Sequence, residues 1–399
     1  MAINYGSEVL FNDASTTGGE VTKLDSTHIA VAWDDAGSGD TYGHVRIGTL
    51  SGTDTITYGT DYTFISSNIR ARNYFSISTL DSTHIVISYL INDTQGYSVI
   101  GVISSGTVVT FGTPVQFNAN TARLSVTGID ATHFAVSYTD AGNSSKGTAR
   151  IGVVSAGDTI TYGSEYVYNA DTNNTPKIAT LDSTHVVVSY SAYEGVAWEG
   201  YSCVGVISSG NVITWGTQYE FNDVLSNELN VDTLDSTHFV ISYKDGGNSN
   251  RGTAIVGVVS SGDTITFGSE YVYLTTSIQY PEVAILDSTH FVVVYKDAVG
   301  NTGGSKYGTV ASDDEITYGS AQQFNASTDF IGAVGISDDS LVIAYQDGGN
   351  SDKGTSIMGV YSAVSGPANL KTLNGVAAAS VKTVQGTAIA SIKSINTVV

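Results

Sequence analysis

The chain of 399 residues is strongly acidic, with 38 Asp and Glu against 16 Lys and Arg and a formal net charge of −22. Binding to nucleic acid or to an anionic membrane surface calls for a basic footprint that displaces counterions, so both partner classes are excluded. With 44 Gly, 4 Pro, 14% charged residues and 41% hydrophobic residues rich in Val, Ile, Tyr and Phe, the composition is that of a β-protein with many tight turns.

The chain opens on INYGSEVLFN, residues 3–12, half alternating and half aromatic, which reads as a strand. From Leu24 comes LDSTHIAVAWDDAG, and variants of it return from Leu80, Ile129, Leu181, Leu234, Leu286 and Ile336. Each copy predicts four strands. The first ends in the Leu of LDSTH, and the second is an apolar run closing on an aromatic residue (Trp33, Tyr89, Tyr138, Tyr190, Tyr243, Tyr295, Tyr345). The third carries a glycine in register, and the fourth is a TITYGSEYVFN-like run. Four strands in a unit of about 50 residues match one propeller blade, and a ring of blades removes the open edges of a linear array.

The seventh copy lacks its fourth strand, and the opening run supplies one. Gly6 completes a series with Gly59, Gly112, Gly163, Gly216, Gly268 and Gly319. The expectation is all-β: a seven-bladed β-propeller over residues 1–366, with four antiparallel strands per blade. Residues 2–12 are expected to pair with the third strand of the last unit and close the ring. Across residues 1–362 the repeat resembles tandem-repeat proteins of environmental, often marine, bacteria and their tailed phages. The resemblance is specific as a repeat signature and says little about function.

Six histidines recur at one place, His28, His84, His133, His185, His238 and His290. A single catalytic site does not need six copies a unit apart, so the expected role is a turn lock built with the neighbouring Asp and Thr. The turns DAGNSSKG, DGGNSNRG and DGGNSDKG bring oxygens from Asp140 and Asn143, Asp245 and Asn248, and Asp347 and Asn350. These could hold Ca²⁺, although each turn offers only one or two carboxylates and also suits a plain hairpin. No other cofactor is expected, and no catalytic residue is marked by a motif.

In a four-stranded meander the loops after the second and fourth strands share one face, and here they vary in length and chemistry between copies. That variable face is the expected binding face. Its largest departure is SAYEGVAWEGYS in the fourth unit, with Tyr193, Glu194, Trp198, Glu199 and Tyr201. Aromatic rings beside carboxylates suit a sugar ring, a protein contact fits them equally, and Trp198 packing over a long loop is the plain alternative. The loop ISSNIRARNYF adds Arg70, Arg72 and Tyr74. Cys203, in an apolar run, is expected to be a buried core residue.

From residue 367 the composition changes to an 11-residue period, LKTLNGVAAAS, VKTVQGTAIAS and IKSINTVV, with Lys371, Lys382 and Lys393 in register. Such repeats resemble the ends of phage structural and fibre-like proteins. A tail this short cannot bury its own core. It is read either as a linker or as an assembly segment seating Leu370, Leu373, Val376, Val381, Val384, Ile389, Ile392 and Ile395 against another subunit or a second copy. The functional expectation is a non-enzymatic virion or surface protein, displaying a propeller for adhesion or for receptor or glycan binding. The alternative is a carbohydrate-active hydrolase or lyase working on the variable face. With no basic leader and no long apolar run, the chain is expected to be made in a host cytoplasm and to reach a virion. The extracellular or cell surface is the other expected location.

Overall fold

A computed structural model describes residues 2–35, 42–52, 54–67, 75–156, 158–193, 195, 197–261 and 263–362, together with four two-residue strands beyond them. The described chain is built of antiparallel strands, with three short 3₁₀ turns and no α-helix among the described residues. Among the described residues, no helix is therefore long and apolar enough to cross a membrane.

The fourth unit shows the pattern. Thr172–Asp182, His185–Tyr193 and Trp198–Ser208 pair in order as a meander. The predicted fourth strand is split in two, Val212–Trp215 and Tyr219–Asn222, both lying on Trp198–Ser208. The break falls at Gly216, whose N–H still reaches Val204 O at 2.9 Å. Two strands run through from one unit into the next: Val9–Lys23 joins the last unit to the first, and Tyr271–Asp287 joins the fifth to the sixth.

The second strands are buried on both faces, which is why they read as unbroken apolar runs instead of alternating ones. Each closing aromatic packs against an aromatic from the outer strand of the preceding unit. Phe64 meets Tyr89 at 5.5 Å between ring centroids, Phe117 meets Tyr138 at 5.2 Å, and Phe324 meets Tyr345 at 5.1 Å. These rings fill space that only glycine leaves. A Cβ on Gly303 would stand 2.4 Å from the Phe324 ring, and one on Gly96 would stand 2.3 Å from Phe117. The hydrophobic clusters accordingly lie between neighbouring sheets, not within one.

The last unit repeats this with residues from the chain start. Ala2–Tyr5 pairs antiparallel with Lys353–Ser362, Tyr5 facing Gly359. Gly6 N–H donates to Met358 O at 2.9 Å, the bond that Gly59 makes to Ile47 O. Phe11 sits over Gly354 and against Trp33, at 5.3 Å. One cluster joins Ile336, Val342 and Met358 to Val21, Val31 and Trp33.

The first strands lie side by side. Thr22 Oγ1 meets Thr79 Oγ1 at 3.0 Å, Thr127 Oγ1 meets Thr180 Oγ1 at 3.0 Å, and Thr233 Oγ1 donates to Thr180 O at 2.9 Å. Six of them carry a bulge near their start. In four consecutive units the bulge holds a non-glycine residue at positive φ: Thr175 (47°), Glu228 (45°), Tyr280 (56°) and Phe330 (46°). For branched or bulky side chains this is a costly conformation, about 1–3 kcal/mol each.

In the tail, Thr372–Leu373 pairs with Val376–Ala377 and Thr383–Val384 with Thr387–Ala388, two short hairpins that keep the 11-residue period. Leu373, Val376 and Val384 lie in these strands. Leu370, Val381, Ile389, Ile392 and Ile395 lie outside the described residues.

Candidate functional site

On the uniform face the LDSTH turn closes on itself. In the second unit the Thr83 N–H and hydroxyl both donate to Asp81 Oδ1 at 2.7 Å, and His84 Nδ1 lies 3.0 Å from the same oxygen. Burial acts to raise the Asp81 carboxyl, but the bonds from Thr83 and His84 outweigh it and hold it below the usual range. The other ring nitrogen faces the next unit. His84 Nε2 is 3.7 Å from Asp158 Oδ1, His185 Nε2 is 3.6 Å from Asp263, and His238 Nε2 is 3.7 Å from Asp314. The histidines thus lock their turn, and His84, His185 and His238 also approach a carboxylate of the neighbouring unit.

On the variable face, His185–Tyr193 and Trp198–Ser208 form the long hairpin of the fourth unit, with Tyr193 opposite Trp198. Their rings are in contact, 5.5 Å apart and tilted by 50°. Tyr193 is 42% exposed, and its hydroxyl donates to Gly195 O at 3.2 Å. Trp198 and Glu199 are half-buried. Tyr201 does not join this exposed group. Strand alternation carries it inward, where it is buried, stacks on Tyr190 and donates to Glu199 Oε2 at 2.9 Å. The hairpin therefore offers two rings, not three, and Glu199 lies on the face of Tyr201, not on that of Trp198. Glu194, Arg70, Arg72 and Tyr74 lie outside the described residues. Cys203 is fully buried, and burial pushes its thiol well above the ordinary range.

The calcium candidates cap turns. Asp140 accepts from Gly142 N–H at 3.0 Å, Asp245 from Asn248 N–H at 3.1 Å and Asp347 from Gly349 N–H at 2.9 Å. Each opens a 3₁₀ turn ending in a left-handed serine: Asn143 closes the first turn, Asn248 the second and Asn350 the third. Among the described residues no three His, Cys, Asp or Glu side chains converge on a common metal position.

Beside these turns lies a network that no motif announced. Tyr138 donates to Glu165 Oε1 at 2.9 Å and Asn118 Nδ2 to the same oxygen at 3.2 Å. Tyr345 and Asn325 do the same to Glu8 Oε1, at 2.7 and 2.9 Å, and Tyr243 donates to Glu270. The three copies fall in alternate units, the third, fifth and seventh. Burial, and then the nearby Glu165 carboxylate, raise the Asp140 carboxyl. A hollow of about 540 Å³ opens over Glu8, Asn325, Asp347 and Asn350.

A second unpredicted feature lies where the first strands of the third to sixth units converge. A cavity of about 230 Å³ is lined by Arg123, Asn174, Lys177, Asn227, Glu228 and Tyr280, among others. Asn174 faces Ser191 across the strands, so the cavity opens on the side from which the aromatic hairpin emerges. Its residues come from separate units and share no local pattern, which is why the sequence does not mark them.

No family model and no curated protein matches this chain. Solved structures do. The WD40 domain of Toxoplasma gondii coronin has a TM-score of 0.57 at 10% identity, covering 91% of this chain and 87% of that one. A protein of unknown function from Dyadobacter fermentans has 0.55 at 9% identity, covering 90% and 99%. Sqt1 from Chaetomium thermophilum has 0.54 at 8% identity, covering 91% and 100%. At these identities the likeness is one of fold alone. The fold is of the β-propeller type.

Proposed function

We propose that this chain is a non-enzymatic binding module, a seven-bladed propeller that presents its variable face to a glycan or cell-surface receptor. Residues 367–399 attach it to a larger assembly, a virion or a cell surface. The ring reading is supported by the chain start, where Gly6 and Phe11 make in the last unit the contacts that Gly59 and Phe64 make in the first. The observation that carries the binding role is the Tyr193–Trp198 ring pair at the end of a two-stranded hairpin, with Tyr193 exposed and Trp198 half-buried against it. Sugar rings stack their C–H faces on such side chains.

A panel of immobilised polysaccharides and cell-surface glycans tests this with wild-type protein and the Tyr193→Ala/Trp198→Ala double variant. The wild type should be retained by at least one surface, and the variant should lose tenfold or more of that affinity with its melting temperature unchanged. Equal retention of the two proteins would remove the hairpin from the site.

A further inference from the structure

We propose that the cavity at the convergence of the first strands is a second binding site, specific for a carboxylate-bearing sugar unit, with Arg123 and Lys177 as the anion-recognising pair. This goes beyond the hairpin reading and does not depend on it.

Three observations carry it. The first is charge. In a chain with 38 acidic and 16 basic residues, cations are expected to be neutralised, and those nearby are: Lys244 Nζ is 3.1 Å from Glu228 Oε1, and Lys296 is bonded to Asp329. Arg123 and Lys177 line one cavity, and neither side chain has a hydrogen bond or ion pair among the described residues. Two cations and one carboxylate thus line the same cavity. Glu228, the one carboxylate of the lining, is already used twice, by Lys244 and by Tyr280 N–H at 2.8 Å.

The second is backbone. Thr175, Glu228 and Tyr280, all on the cavity wall, are the residues at positive φ in their strands. Three of the four strained bulge residues stand on the wall of this one cavity, Phe330 being the fourth, and stored backbone strain is characteristic of ligand sites. The hydrogen bonds that hold them are specific: Thr175 Oγ1 to Ser191 Oγ at 3.1 Å, and Glu228 to the Tyr280 amide.

The third is size and lining. At about 230 Å³ the cavity is smaller than the roughly 300–1,000 Å³ of ordinary small-molecule sites, so it takes one ring or one terminal group. Its lining adds the amides of Asn174 and Asn227 for hydroxyls, and the Tyr280 ring, stacked on Phe330 at 5.3 Å. A guanidinium fork matches a carboxylate in two parallel hydrogen bonds, and an ammonium adds a point charge. A sugar acid meets all of these groups, whereas a neutral sugar leaves the two cations unpaired.

Calorimetric titration of the full chain with glucuronate, a galacturonate trimer, glucose and acetate tests the site. Glucuronate or the trimer should bind at least tenfold more tightly than glucose. Preference for the trimer over the monomer would place the natural ligand in a polymer, and the reverse would place it as a free acid. Arg123→Gln/Lys177→Gln should lose the acid-over-neutral preference at unchanged melting temperature, while Tyr193→Ala/Trp198→Ala should keep it. Equal binding of glucose and glucuronate, acetate binding as tightly as glucuronate, or undiminished glucuronate binding by the Arg123/Lys177 variant would each overturn the proposal. None of these results bears on whether the hairpin binds its own glycan.

Discussion

The aspartates of the LDSTH turns show how one side chain can serve stability without chemistry. Asp25, Asp81, Asp130, Asp182, Asp235 and Asp287 all titrate below their ordinary range, because the bonds from Thr and His outweigh the opposing effect of burial. A carboxyl lowered on folding stabilises the native state above its unfolded pKa of about 3.9, and that stability is lost as pH falls through the folded value. The side chains are about a third exposed or more, so solvent screening holds each contribution to roughly 0.2–1 kcal/mol. Denaturant titrations of wild type and Asp182→Asn should therefore differ at pH 6, and the difference should shrink as pH falls below the ordinary carboxylate range. A difference that grows on acidification would contradict the assigned sign. The histidine, Asp and Thr were legible in the sequence because they are contiguous. Tyr201 was not, because its burial depends on which face of the strand it falls on, and a one-residue change in register reverses that.

The strand at the chain start is where local sequence and long-range contact meet. Residues 2–12 read as an orphan fourth strand, and Val9 and Leu10 lie opposite Ser356 and Thr355. Ile3 and Phe11 are almost fully buried there. Deleting residues 2–12 uncovers the edge of Lys353–Ser362 and empties the space over Gly354, so the melting temperature should fall sharply and the protein should aggregate. Phe11→Ala alone should cost about 3–5 kcal/mol in a denaturant titration. Deleting residues 367–399 should leave the transition almost unmoved. Equal effects from the two truncations would refute the ring. The strand pattern was legible because the units repeat and each second strand closes on an aromatic. The split of the fourth strand at its glycine, and the bulges of the first strands, were not. The split follows a glycine N–H that stays bonded to the third strand, and the bulges rest on backbone geometry that Thr175, Glu228 and Tyr280 adopt against their own preferences.

Across the whole molecule, two faces divide the work. One is nearly identical from unit to unit and locks its turns through Asp, Thr and His. The other differs from unit to unit and carries the aromatic hairpin, the Tyr–Glu–Asn networks and the cavity at Arg123. A repeat signature exposes the first kind of face well, since sameness is what it detects. The cavity arises only when residues more than a hundred positions apart in the chain converge, as Arg123 and Glu228 do, so no stretch of sequence displays it. The measurement that tests the central claim most directly is retention and cleavage followed in the same sample. Purified protein is held with the polysaccharide that retains it best, and bound protein and newly formed chain ends are counted over time. A binding module stays retained, loses that retention in Tyr193→Ala/Trp198→Ala, and produces no growth in chain ends. Accumulating chain ends, or retention by none of the panel, would contradict that role.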